Sequence, residues 1–233
     1  MKKNIVVNVI FIFSFLVCAC QTKKIELGIQ GGINLGSVYG SGTDFTYLNQ
    51  NKKDFFGGIV GLQFKYRLSK NYALKTSIQF EQNAIVLYDI TLVDHSFYPY
   101  GQGDEIYRQS YINMPIVIER SFGNKIKFNV NGGLFTGILI KDILITKVKQ
   151  RFIPVGQPPR LEVFKTKKDN HKSINYGLSV GTGVLFPVSQ KIKMLISVQN
   201  NLGLLNIANE VRSVDYALYT NSTSFLTGLV FSL

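Results

Sequence analysis

Along most of the chain, apolar and polar residues alternate one by one. Residues 109–140, QSYINMPIVIERSFGNKIKFNVNGGLFTGILI, carry two such runs separated by Phe122-Gly123-Asn124-Lys125. A period of two predicts β-strands whose alternate side chains point to opposite faces. Eight runs follow this rule: about 25–36, 55–68, 71–88, 109–122, 125–142, 173–187, 191–205 and 222–233. No extended helical-period stretch interrupts them. After residue 20, no stretch reaches the roughly 18 continuous apolar residues of a membrane helix.

The connections alternate as strictly as the side chains. Those around Ser69-Lys70, Gly123-Asn124 and Ser189-Gln190 are very short. Those at 37–54, 89–108, 143–172 and 206–221 are long. In an up-and-down barrel alternate connections fall at the same end, so one end carries tight turns and the other long loops. That asymmetry predicts an eight-stranded antiparallel transmembrane β-barrel with periplasmic turns, periplasmic termini and extracellular loops.

Parity sorts the residues into two faces. Val60, Leu62, Phe64, Tyr66 and Leu68 oppose Gly61, Gln63, Lys65 and Arg67. Ile112, Met114, Ile116 and Ile118 oppose Asn113, Pro115, Val117 and Glu119. Alternation alone fits a soluble lipocalin-like ligand-binding barrel with the apolar face inside, or a membrane barrel with it outside. Three features favour outside. The runs are longer than ordinary strands and cover the roughly 9–11 residues needed to span. Tyr66, Tyr72, Phe122, Phe186 and Phe231 gather near the tight-turn end, as an interfacial aromatic girdle does. The polar face mixes acids, bases, amides and glycines, which suits a crowded lumen. Arg120 falls on the lipid-facing parity, where a long side chain near the edge snorkels to headgroups.

Composition sharpens the reading. The 233 residues include 21 Gly, 12 Tyr and 17 Phe with no Trp, and carry a net charge of +12 with only 17% charged residues. A nucleic-acid binder is expected to set its basic groups on a more polar background, so no nucleic-acid partner is expected. Residues 1–20 open with Lys2 and Lys3, continue through an apolar run from Ile5 to Val17 and end in small residues, the pattern of a secretory signal peptide. Its removal leaves 24 basic side chains against 14 acidic ones and a barrel domain over 21–233. Both cysteines, Cys18 and Cys20, lie in or at the end of that segment. "VCAC" also resembles a lipobox, which would lipidate Cys20.

The chemistry predicted for the lumen is a polar network of Lys65, Arg67, Lys75, Glu81, Glu119 and Lys127. The two acids balance the bases, and eight strands leave an interior just filled by side chains. The 141–172 segment holds nine Lys or Arg against three acids. Lys147, Lys149, Arg151, Lys165, Lys167 and Lys168 are candidate contacts for lipopolysaccharide phosphates. Asp89, Asp94, Asp104 and Glu105 are a weaker candidate for Ca²⁺ in a solvated acidic loop, and no metal site or cofactor is assigned. His171 and Ser173 have the spacing of outer-membrane lipid A deacylases, without an evident carboxylate to orient the ring. A non-enzymatic role is therefore expected, with a lipid-modifying enzyme as the alternative.

The segment YINMPIVIERSFGNKIKFNVNGGLFTG resembles the PorT-like outer-membrane β-barrel family. The resemblance rests on Tyr111, Pro115, Ile116 to Ile118, Gly133 and Gly137. The opening IELGIQGGINLG resembles that family's first strand, and INYGLSVGTGVLFPVSQKIKMLISVQNNLGLLNI its sixth and seventh. SFLTGLVFSL resembles the last strand read by the barrel-assembly machinery, with Phe231 in place of a terminal aromatic. The resemblance spans nearly all of 25–233. It implies an outer-membrane barrel of a Gram-negative bacterium, lipid and lipopolysaccharide as surroundings, and a structural, surface-interaction or export-associated role with a protein partner not identified by sequence. The same reading places Pro115 on the lumen side near a bulge, and has Gly132-Gly133 permit sharp strand curvature.

Overall fold

The computed structural model describes residues 25–41, 52–93, 99–151, 162–167, 172–208 and 217–233. Residues 1–20, the expected signal segment with Cys18 and Cys20, lie outside the described residues. Among the described residues there are nine strands: β1 Ile25–Ser41, β2 Lys52–Arg67, β3 Tyr72–Val93, β4 Pro99–Phe122, β5 Lys127–Arg151, β6 Glu162–Lys167, β7 Ile174–Pro187, β8 Ile192–Gly203 and β9 Ala217–Ser232. Antiparallel pairing runs β1-β2-β3-β4-β5-β7-β8-β9 and returns to β1, a closed ring of eight. Closure leaves no unpaired edge in the ring, which a strand in lipid requires because no water can satisfy its backbone.

The faces are arranged as a membrane barrel demands. Ile29, Val60, Leu62, Ile78, Ile116, Ile118, Phe128, Leu134, Val180 and Ile196 are exposed on the outside. Gln30, Asn34, Gln63, Gln79, Asn113, Asn129, Ser179 and Gln199 are buried inside. The soluble lipocalin-like alternative needs the opposite arrangement and is overturned: its apolar side chains would have to face inward.

Three tight turns close one end. In two, a serine does the same work: the amides of Leu68 and Ser69 donate to the carbonyl of Tyr72, while Ser69 Oγ accepts from the amides of Asn71 and Tyr72. Val188, Ser189, Lys191 and Ile192 repeat this pattern. The third uses Gly123 at φ 94°, where a Cβ would lie 2.4 Å from the carbonyl oxygen of Ile126. Only glycine fits there without strain.

The other end differs from the sequence expectation. Segments 89–108 and 143–172 are not simply long loops. β3, β4 and β5 run 22, 24 and 25 residues, well past the 9–11 or so that span a bilayer. They form a tall wall on one side, extended by β6, which pairs with β5 from Ile143↔Lys167 to Val148↔Glu162. Alternation does not mark how far these extensions reach, because ladder pairing and buried residues such as Val86, Leu144 and Val148 hold them together rather than a lipid-facing apolar side.

One irregularity aims the wall. Tyr111 pairs with Leu139, but Ser110 pairs with Lys141, so β5 carries one extra residue at Ile140. Such a bulge inverts the in-out parity beyond it. Below it, Ile138 and Ile140 face outward; above it, Asp142 and Leu144 turn inward. Pro115 is not at this bulge. It pairs with Phe135 on β5, and on its β3 side the ladder skips from Thr76↔Ile116 to Gln79↔Asn113 without a register change. A proline has no N–H to donate there, so pairing lapses for two residues rather than kinking.

Candidate functional site: a packed lumen beneath a basic wall

The lumen is layered from the tight-turn end. Glu26 on β1 is the hub of the first layer. Its carboxylate pairs with Lys65 at 3.3 Å, and with Arg67 and Lys193. Lys65 also donates to Glu119 Oε1 at 2.7 Å. Glu26, Glu119 and Lys65 are almost wholly buried, whereas Arg67 and Lys193 reach partly to the mouth. Lys65 stands directly opposite Lys75 in the β2–β3 ladder, a like-charge pair that costs stability. Glu119, across from Ala73 on the neighbouring strand, supplies the compensating charge. Lys127 is half-buried at the mouth, beside Arg67 and Lys193 in a recess of about 20 Å³. That volume suits about one water molecule, not a solute.

In the middle layer, Gln79 Nε2 on β3 lies 3.5 Å from Gln199 Oε1 on β8, and Gln199 Nε2 donates to Asn201 Oδ1 at 3.1 Å. β3 and β8 stand opposite one another in the ring of eight, so this long hydrogen bond crosses the full bore. Above it, Glu81 accepts from Asn113 Nδ2 at 2.5 Å and from Ser222 Oγ. Asn34 joins this cluster through Ser222 Oγ, 2.8 Å from its Oδ1, and through Asn83. Glu81 therefore does not balance the lysines, contrary to the sequence expectation. It sits among amides and hydroxyls, and its ion-pair role belongs to Glu26.

Toward the upper end, apolar residues gather on the β8–β9–β1 side of the ring. Val38, Ile207, Ala208 and Leu218 form a buried cluster. The segment after β8 is held between the two strands that flank β8 by Lys172 N–H to the Ile207 carbonyl and Ile207 N–H to the Leu218 carbonyl, both 2.8 Å. Asn175 Nδ2 donates to Thr220 Oγ1 at 2.7 Å just beneath.

The wall carries the basic residues. Lys147 pairs with Val163, Ile145 with Lys165 and Ile143 with Lys167. Cross-strand partners share a face, so these three lysines and Lys141, all exposed, lie on the outer side of the wall. They point outward because of the extra residue at Ile140; without it, the odd positions of β5 would continue inward. Lys149 and Arg151 belong to β5, but only their backbone is described. Lys168 lies outside the described residues, as do Asp94 and His171. Asp104 Oδ1 accepts from the amide of Asp89, and Glu105 accepts from Tyr107 Oη at 2.8 Å. No group of three or more metal-ligating side chains occurs among the described residues. Ser173 is exposed, and its carbonyl accepts from the Leu139 amide.

Sequence reasoning missed Glu26 and Lys193. Glu26 precedes a glycine-rich run and carries no motif. Only closure of β9 onto β1 sets it beside Lys193, 167 residues away. The glycines of the Tyr111–Gly137 motif have a packing reason. A Cβ at Gly133 would lie 2.2 Å from the Ile116 carbonyl oxygen, and one at Gly137 2.2 Å from Asn113 Oδ1.

Among solved structures, the chain is similar to Neisserial surface protein A, at 11% identity and TM-score 0.42, covering 89% of this chain and 97% of that one. It is similar to OprG from Pseudomonas aeruginosa at 8% identity and TM-score 0.43, covering 88% and 94%. It is also similar to Ail of Yersinia pestis at 12% identity and TM-score 0.38, covering 88% and 98%. No curated protein sequence matches it. The sequence profile of the outer membrane protein beta-barrel domain matches residues 19–209. The chain belongs to that family of outer-membrane β-barrels.

Proposed function

We propose that this barrel is a non-enzymatic surface protein whose work is done by the raised wall, on a scaffold whose lumen conducts nothing. The observation that carries the reading is the contact across the bore between Gln79 and Gln199. With ion pairs below it and the Ile207 cluster above, it leaves side chains where a pore needs water. In the proposed orientation the tight turns are periplasmic and the wall is extracellular, after cleavage of a signal segment at about residue 20. Lys141, Lys147, Lys165 and Lys167 then stand on the outer side of the wall above the lipid-facing Ile138 and Ile140, at headgroup height. Lysines so placed attract lipopolysaccharide phosphates, with Lys149, Arg151 and Lys168 adding to the charge. The PorT-like resemblance stays within this reading as a subdivision of the family. It adds export-associated partnership as a role for the same wall.

The test is binding of lipopolysaccharide to the purified barrel in detergent. Replacing Lys147, Lys165 and Lys167 by Glu is expected to weaken binding strongly and to flatten its dependence on salt. Unchanged binding sinks the proposal. A deacylase role is tested apart, by mass spectrometry of lipid A from overexpressing cells. Full acylation is expected, and a chain lost only while Ser173 is intact would overturn the non-enzymatic reading.

A further inference from the structure

On the outside of the barrel, near the tight turns, an exposed cation and an apolar groove lie in line along β4. The cation is Arg120. Its guanidinium stands 5.5 Å from the Tyr72 ring centre and 4.8 Å from that of Phe122. Two flanking aromatics hold it at the girdle by cation–π attraction. Among the described residues no carboxylate pairs with it, so its N–H donors face outward. Toward the middle of the membrane the next outward residues of β4 are Ile118, Ile116 and Met114. Beside Ile118 on β5 stands Gly132, whose missing side chain meets nothing: a Cβ there has no atom within 4 Å. The result is a groove of about 580 Å³, bordered by Leu74, Ile116, Ile118, Leu134 and Tyr176.

From Arg120 to Met114 is six residues, about 20 Å along a strand. At the tilt of a membrane barrel, about 40°, that descends about 15 Å, half of the roughly 30 Å hydrocarbon core. A phosphate at Arg120 therefore places an acyl chain along the groove, ending at the midplane. We propose that Arg120, Tyr72, Phe122 and the groove over Gly132 form a site for one glycerophospholipid. The guanidinium binds the phosphodiester and one acyl chain fills the groove. The choice of glycerophospholipid rests on the proposed orientation, which puts the tight turns in the periplasmic leaflet. Accessible tags at the two ends of the barrel read that orientation separately.

The purified, folded barrel is delipidated in detergent, incubated with palmitoyl-oleoyl phosphatidylglycerol and examined by native mass spectrometry. One lipid is expected to stay on the wild-type chain. Arg120→Gln removes the charge-assisted hydrogen bonds, and Gly132→Leu fills the groove with the cation intact. Each is expected to lower the retained fraction about tenfold while heat-modifiable gel mobility stays that of a folded barrel. Equal retention in both variants overturns the site. Loss in Arg120→Gln alone overturns the groove as an acyl-chain slot. Displacement of the phosphatidylglycerol by equimolar lipid A overturns the assignment to a glycerophospholipid.

Discussion

Gln79 and Gln199, on strands that stand opposite one another in the ring, touch across the bore through a 3.5 Å hydrogen bond. Neither side chain is more than slightly exposed. An eight-stranded barrel leaves an interior that side chains just fill, and these two meet at its centre. The barrel is therefore a rod with a polar core. Its stability depends on satisfying buried polar groups rather than on excluding water from apolar ones.

The contact predicts a gain of leak. The wild-type protein in a planar bilayer is expected to give no steady conductance. Shortening both side chains, Gln79→Ala with Gln199→Ala, removes the central constriction, and brief small-ion openings are expected. A silent double variant would mean that the charged layer around Glu26 closes the bore by itself.

Glu26 should matter more to stability than any other single acid of the lumen. It is the shared partner of Lys65, Arg67 and Lys193. Glu26→Ala leaves Lys65 with Glu119 alone and takes from Arg67 and Lys193 the carboxylate they share, at a cost of about 3–5 kcal/mol for a broken buried pair. Denaturant unfolding in detergent should show this as a large fall in midpoint. Lys167→Ala on the exposed wall is expected to change stability by less than about 0.5 kcal/mol.

Two adjacent glycines of β5 should behave in opposite ways. Gly133→Val drives a Cβ into the Ile116 carbonyl oxygen, which is backbone and has no way to move aside within a closed ladder. Loss of the heat-modifiable folded band is expected. Gly132→Val points into open space and should fold. If the two variants fold equally well, the close β4–β5 approach is not required.

Orientation is read on intact cells. An epitope inserted between residues 152 and 161 should be reached by antibody, and one at Ser69-Lys70 should be reached only after the outer membrane is permeabilised. The reverse pattern would move the basic wall to the periplasm and remove lipopolysaccharide as its partner.

The relation between sequence and structure differs from one feature to the next. Alternation along β2, β4 and the lower half of β5 was enough to assign each side chain its face, because a strand has a period of two whatever surrounds it. The short turns were equally plain: Gly123 and the serines Ser69 and Ser189 act on their own backbone within three residues. The placing of Lys65, Arg67, Lys75, Glu119 and Lys127 on the inner face needed nothing beyond parity. What joins them did not follow from parity. Glu26 meets Lys65 because the β1–β2 register sets the two directly opposite one another, and it meets Lys193 only because β9 closes onto β1, some 200 residues away in the chain. The outward aim of Lys141 and Lys147 depends on a single extra residue beside Tyr111, within the run Ile138-Leu139-Ile140 whose three consecutive apolar residues do not say where parity inverts. The height of the β3–β5 wall was hidden for a similar reason. Above the bilayer a strand needs no lipid-facing apolar side, only a neighbour to pair with, and that neighbour is supplied by the tertiary fold.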